Sequence, residues 1–139
     1  MEKDHPYIGV DAIIQNDEGK ILLLKRSNDR KVYPSMWSLP SGMVEWGEEV
    51  REALIRELKE EANLDIEIDK FTGRYYDGVG RHPTKTVICL PHYCKITGGE
   101  MKLNEENSGY GWFAPKEISN IDLAFDHKQM LIDEGLIWA

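Results

Sequence analysis

Long apolar runs are missing from this chain. No stretch approaches the roughly 18 consecutive apolar residues that read as a membrane-spanning helix, so we expect none. The opening residues, Met1-Glu2-Lys3-Asp4-His5-Pro6, lack the apolar centre of an export signal. Cysteine is scarce. The two present, Cys89 and Cys94, stand an odd number of residues apart in one expected strand. Their side chains should therefore leave opposite faces, out of disulfide reach of each other. Free thiols without an export signal point to a reducing, cytoplasmic setting. Basic residues are also in short supply, with 17 Lys and Arg against 25 Asp and Glu and a formal charge of −8. That balance is a poor match to a nucleic acid, whose phosphates demand clustered cations. A small phosphorylated ligand remains compatible if a metal ion mediates the contact. Repeats, low-complexity tracts and linkers are absent too, so residues 1–139 read as one domain with no membrane partner.

What is present suits a globular fold: 41% hydrophobic and 30% charged residues. Tyr7–Gln15 and Lys20–Arg26 read as two strands joined into a hairpin by the turn Asn16-Asp17-Glu18-Gly19. Ser27–Met36 reads as a loop, Trp37–Pro40 as a short extended piece and Ser41-Gly42 as a bend. The clearest helix spans Glu48–Ala62, with acidic residues in its first turn and Asn63 as a left-handed cap. Further strands are expected around 65–68, 72–76, 85–96 and 110–113, with a turn at Gly98-Gly99. A short helical turn is expected from Pro115 and a second helix over 126–135.

The long helix carries carboxylates on its inner face. With Glu57 at zero and about 100° per residue, Val50, Ala53, Leu54 and Glu61 fall within about 60°. Glu60 borders that stripe, whereas Glu52, Arg56 and Lys59 lie on or near the other side. A solvated, ion-paired face accounts for the latter three. It does not account for Glu57 and Glu61, which point inward with the apolar residues. Buried neighbouring carboxylates need a proton or a cation. A hard divalent ion, Mg²⁺ or Mn²⁺, satisfies that need through oxygen ligands.

The stretch from Gly42 through Glu48, Arg56-Glu57, Glu60-Glu61 and Leu64 resembles the Nudix box, G-x5-E-x7-R-E-U-x-E-E-x-G-U, with U a bulky aliphatic residue. One fixed position departs: Asn63 stands where the second glycine is usual. Trp37-Ser38-Leu39-Pro40-Ser41-Gly42 looks like the family's lead-in, and Trp112-Phe113 like its late aromatic strand. The resemblance implies an α+β fold, an αβα sandwich around a mixed β-sheet, with the box as a loop-helix-loop. It implies a Mg²⁺-dependent pyrophosphohydrolase acting on a nucleoside diphosphate linked to some group, first of all a nucleoside triphosphate. ADP-ribose or dinucleoside polyphosphate hydrolysis, and a silent nucleotide sensor, are the alternatives.

Carried over residue by residue, Glu57, Glu60 and Glu61 look like the metal-site carboxylates, with Glu57 alternatively the general base. Arg56 would orient them, Glu48 would brace the loop or hold a second metal, and the Ser41 carbonyl resembles a further ligand. Glu106, with Glu105 second, is the candidate for a carboxylate from the loop before the Trp strand. Arg26, Arg74 and Arg81 are candidate phosphate contacts, because an acidic site needs a basic counterweight. Phe125 could stack on a base and Asp126 accept from a purine edge. The asparagine that reads oxidised purines in related enzymes is missing around Ala124-Phe125-Asp126. His82 and His127 read as solvated polar residues, with contact to substrate by either as the alternative, and Cys89, His92 and Cys94 diverge too much for zinc. A homodimer would be compatible with an exposed N-terminal strand.

Overall fold

The computed structural model describes residues 5–138, so Met1–Asp4, the greater part of the segment read for an export signal, and Ala139 lie outside it. The element order is β1 (Tyr7–Ile14), β2 (Ile21–Arg26), β3 (Trp37–Ser38), β4 (Ser41–Met43), α1 (Val50–Ala62), β5 (Leu64–Phe71), β6 (Val87–Gly99), β7 (Asn107–Phe113), α2 (Pro115–Ile118) and α3 (His127–Asp133). A mixed four-stranded sheet has the order β4-β1-β6-β5, and a three-stranded sheet has the order β3-β2-β7. β1 runs parallel to β6; β4 and β5 run antiparallel to their neighbours. Among the described residues no helix is long and apolar enough to cross a membrane.

Period-two alternation builds two cores from the same strands. Val10, Ala12, Ile14, Leu22 and Leu24 pack with Ala53, Leu54, Leu58 and Ala62 of α1. Ile13, Ile21 and Leu23 face the other way, toward Ile118 of α2 and Met130 and Leu131 of α3. Helices thus cover both sides of the strands, in the αβα arrangement expected. Cys94 joins the first core and Cys89 the second; both are free thiols on opposite faces.

Several local expectations give way. The turn after β1 exists: Asn16 Oδ1 accepts the amides of Glu18 and Lys20, and Gly19 has φ 77°. Yet β1 and β2 meet only through the bridge Gln15–Ile21, because β4 and β6 already occupy both edges of β1. With both edges paired, β1 offers no free edge to a second copy. Ser41 and Gly42 are strand, not bend, paired with Asp11 and Val10. The expected strand at 72–76 reduces to one bridge, Tyr76–Cys89, since Gly73 turns to φ 81°. Gly98 and Gly99 do not turn but end β6 opposite Asp65 and Leu64. A Cβ on Gly99 would come within 2.3 Å of the Asn63 carbonyl oxygen. Close approach to the end of α1 requires glycine there. Asn63 itself is left-handed as expected (φ 58°, ψ 33°).

Candidate active site

α1 begins at Val50 behind Glu49, whose amide donates to Glu52 Oε1 at 3.2 Å. Glu48 therefore precedes the helix. Its inner stripe of Ala53, Leu54, Leu58 and Ala62 anchors the helix and carries Glu61 into the interior, 5% exposed. Glu57 is half-buried on the same stripe, and Glu60 stands at its rim with a largely exposed side chain. The helix wheel placed Arg56 on the outer side, and here the structure corrects it. The guanidinium folds back over the carboxylates: Nε donates to Glu48 Oε2 at 2.6 Å, Nη1 to Glu57 Oε1 at 2.9 Å and Glu60 Oε2 at 3.1 Å. Nη2 donates to Glu48 Oε1 at 2.9 Å and to the Met43 carbonyl at 3.0 Å. A long side chain at the flank of a helix can reach either face.

Glu48 is fully engaged, because Oε1 also accepts the amide of Glu45. Bonds from Arg56 and then from that amide hold its carboxyl down to about 2. The same pairing, Glu48 foremost, raises the affinity of Arg56 for its proton. Glu57 shifts the other way: burial raises its pKa, opposed by Arg56 and reinforced by Glu60 and Glu106. Burial raises Glu61 much further, opposed by one hydrogen bond from Asn107 and reinforced by Glu57 and Glu106. That bond runs from Asn107 Nδ2 to Oε1 at 3.0 Å. Glu61 Oε2 is buried without any hydrogen-bond partner in the structure.

A cavity of about 660 Å³ opens beside these groups. Its lining combines the acids Glu57, Glu61, Glu105 and Glu106 and the backbone at Ser41 with the cations Arg26, Arg30, Lys31 and Arg81. The loop carrying Glu105 and Glu106 is fastened by backbone bonds: Asn104 donates to the Glu61 carbonyl, and Ser27 and Arg30 donate to that of Glu106. Glu106 itself is nearly half-exposed, 3.8 Å from Arg30. Arg26 is almost buried, and burial together with the nearby Arg30 lowers it to about 10. Its guanidinium lies 5.0 Å from the Phe125 ring centroid. Arg81 donates to Asp126 at 2.8 Å.

Four of the five expected substrate contacts thus meet in the cavity: Arg26, Arg81, Phe125 and Asp126. Arg74 does not. It pairs with Glu134 at 2.9 Å, away from the cavity lining. His82 lines the cavity, and burial lowers its pKa. His127 was read as solvated but is buried, bridging Asp11 and the Leu39 amide. Sequence reasoning missed Asp11 and Asn107. Asp11 could have been suspected from its place between Val10 and Ala12 in an apolar strand, where an acid needs a reason.

The fold family implies a divalent cation. Among the described residues no three His, Cys, Asp or Glu side chains form a ready-made coordinating array, since Arg56 draws Glu57 and Glu60 toward itself. The donor chemistry nevertheless fits a hard ion: carboxylate oxygens only, one of them buried and unpartnered.

The comparisons agree with this geometry. The NUDIX domain family matches residues 5–133. An ADP-ribose pyrophosphatase of Methanocaldococcus jannaschii is 37% identical over 130 residues, covering 93% of this chain and 73% of its own length. The nucleoside triphosphatase NudI of Escherichia coli is 35% identical over 133 residues, covering 90% of this chain and 94% of its own. The crystal structure of a MutT Nudix hydrolase from Burkholderia pseudomallei superposes with a TM-score of 0.81 at 27% identity, covering 92% of this chain and 97% of its own. A box helix that turns its glutamates toward a cavity, a mixed sheet covered by helices on both sides and these matches lead to one conclusion: the chain belongs to the Nudix family, hydrolases that act on pyrophosphate bonds.

Proposed function

We propose that this Nudix hydrolase cleaves a nucleoside triphosphate within the phosphate chain, releasing a nucleotide and pyrophosphate or phosphate. The buried, unpartnered Oε2 of Glu61 beside a cavity that Arg26, Arg30, Lys31 and Arg81 also line carries the reading. Glu57, Glu60 and Glu61, joined by the Ser41 carbonyl, would hold Mg²⁺ or Mn²⁺, which when bound neutralises phosphate charge and lowers the pKa of water. Arg56 orients Glu57 and Glu60 from behind, and Glu48 braces Arg56 and the Glu45 amide. Arg26, Arg30 and Arg81 bind phosphate oxygens, and Phe125 offers a ring face to the base.

Water attacks phosphorus in line, its oxygen forming the new bond as the bridging P–O bond breaks. A carboxylate takes the proton. Glu57 suits that role, because its pKa is raised toward the working range of a general base. Glu106, facing the cavity from the opposite loop, is the second candidate. The Methanocaldococcus jannaschii relative supports a second reading, ADP-ribose as substrate.

The test is turnover by purified protein of nucleoside triphosphates, oxidised nucleotides, ADP-ribose and dinucleoside polyphosphates, with Mg²⁺, Mn²⁺ or chelator, and with products identified. Metal-dependent release of a nucleotide and pyrophosphate or phosphate from one triphosphate is the expected result. Preference for ADP-ribose would replace the substrate. Absence of turnover by folded, metal-binding protein would turn the reading toward a nucleotide sensor.

A further inference from the structure

The cavity holds a charge that the chemistry beside α1 does not use. Asp11 lies mid-strand in β1, lines the cavity with Gly9 and is 1% exposed. Its Oδ1 stands 2.9 Å from His127 Nε2. The other ring nitrogen, Nδ1, accepts the backbone N–H of Leu39 at 3.0 Å. A neutral imidazole has one donor and one acceptor. The Leu39 amide therefore fixes Nδ1 as the acceptor and makes Nε2 the N–H that donates to Asp11. His127 satisfies Oδ1 alone. Oδ2 is buried with no partner in the structure.

The surroundings show what is missing. The neighbouring cations turn their Nε donors elsewhere: Arg81 Nε donates to Asp126, and Arg26 Nε to the Val32 carbonyl at 3.0 Å. The Cys89 thiol points its weak bond at the Val87 carbonyl. On the same strand, two residues before Asp11, a Cβ on Gly9 would press to 2.9 Å from Val87 Cγ1 and 3.3 Å from Cys89 Sγ. Glycine there lets the Val87 and Cys89 side chains close over the strand and form that part of the cavity lining. Phe125 stands beside His127, ring centroids 5.4 Å apart, at φ 56°, a conformation rare for an aromatic residue. Asp126, the acceptor expected for a base edge, is already taken by Arg81. An unpaired acceptor in a cavity that Val87, Cys89 and Phe125 also line suits a flat heterocycle carrying an N–H.

We infer that Asp11 is a specificity-determining residue whose Oδ2 accepts a hydrogen bond from the amino group of the substrate's nucleobase, with His127 as its positioning residue. The inference rests on the reading that a nucleotide occupies this cavity. Asp11 lines the cavity with Oδ2 covered, so a base edge bonds to it by displacing the atoms that cover it. Amino-bearing bases are favoured over counterparts that present a carbonyl at the same position, because two acceptors facing each other leave both unpaired.

Paired substrates that differ only in that group test it: ATP against ITP, CTP against UTP, and ADP-ribose against its hypoxanthine counterpart. Wild-type protein should favour the amino member by about tenfold or more in kcat/KM. Asp11→Asn keeps an acceptor for His127 Nε2 and can present an amide N–H₂ to the base, so the ratio should flatten or reverse. His127→Gln should narrow it. Wild-type ratios within about twofold for every pair overturn the inference even if the variants fail to fold. A folded Asp11→Asn that loses both members equally also overturns it, leaving a structural role alone. Turnover without discrimination defeats only this inference. If no member is turned over, or bound in Mg²⁺ by equilibrium titration, the nucleotide reading fails and this one with it.

Discussion

Glu48 and Glu61 serve opposite ends of one charge balance, and the directions of their pKa shifts separate them. Glu48 is stabilised as an anion by Arg56 and the Glu45 amide, its carboxyl held at about 2 against an ordinary 4.5. A lowered pKa means stability that is present above pH 4.5 and lost as pH falls toward 2. Glu48→Gln should therefore melt lower than wild type at neutral pH, and thermal melts should show the gap closing between pH 4.5 and 2. Glu61 is the reverse case. Burial raises its pKa well above 4.5, so the folded chain favours the protonated acid and loses stability as pH rises past the unfolded value. Glu61→Gln does not titrate and retains an acceptor for Asn107. In chelator it should melt higher than wild type, by a margin that widens from pH 5 to pH 8. The same variant should lose turnover by about two orders of magnitude or more, if Glu61 is a metal ligand. Near-normal turnover, or a lower melting temperature across that range, would remove Glu61 from the site.

At the scale of elements, the box is a packing unit as well as a ligand set. A Cβ built on Gly42 would fall 2.1 Å from Glu57 Cδ. The strand before the helix must be bare so that the first inward glutamate can lie against it. Because the obstacle is the end of a flexible side chain, Gly42→Ala should cost little stability and displace Glu57. Activity should fall at least about tenfold with a melting temperature within a few degrees of wild type; a large stability loss with normal specific activity would contradict this. At the other end of α1, Asn63 sits in the left-handed region and its amide donates to the Glu100 carbonyl at 2.9 Å. Asn63→Gly removes that bond but relaxes the backbone, so denaturant melts should place it within about 0.5 kcal/mol of wild type. Asn63→Ala should lose about 1 kcal/mol. These features were legible because a helix repeats its geometry every turn, so spacing along the chain reports which carboxylates share a face. Strand partnership is not written locally. The turn at Asn16–Gly19 was readable, yet nothing near it says that β4 and β6 take both edges of β1. The Asp11–His127 contact joins positions 116 apart, a distance over which a single sequence carries no periodic signal.

The whole molecule carries a formal charge of −8, yet its cavity is bipolar. Glu57, Glu61, Glu105 and Glu106 share its walls with Arg26, Arg30, Lys31 and Arg81. A polyphosphate therefore meets repulsion from the molecule as a whole and attraction from selected walls. At physiological salt the Debye length is about 8 Å, so the distant charges are screened and the cavity's own side chains decide. If those glutamates hold a cation, folding should depend on it. Glu61 keeps a buried oxygen unpaired and Glu57 is pushed toward protonation by burial, so an ion that binds only the folded chain relieves both. Mass action sets the scale: about 2.7 kcal/mol of stabilisation when free ion is 100 times its dissociation constant. For a chain of this size, about 4 °C of melting temperature accompanies each kcal/mol, so saturating Mg²⁺ should raise the transition by roughly 10 °C over chelator. The shift should be largest at pH 8, where Glu61 is most costly to bury as an anion, and smallest near pH 5, where protons compete with the ion. Thermal melts across a Mg²⁺ titration at both pH values check this. An equal shift at pH 5 and pH 8, or one below about 2 °C at saturation, would mean that the ion binds elsewhere and that the buried glutamates are not its ligands.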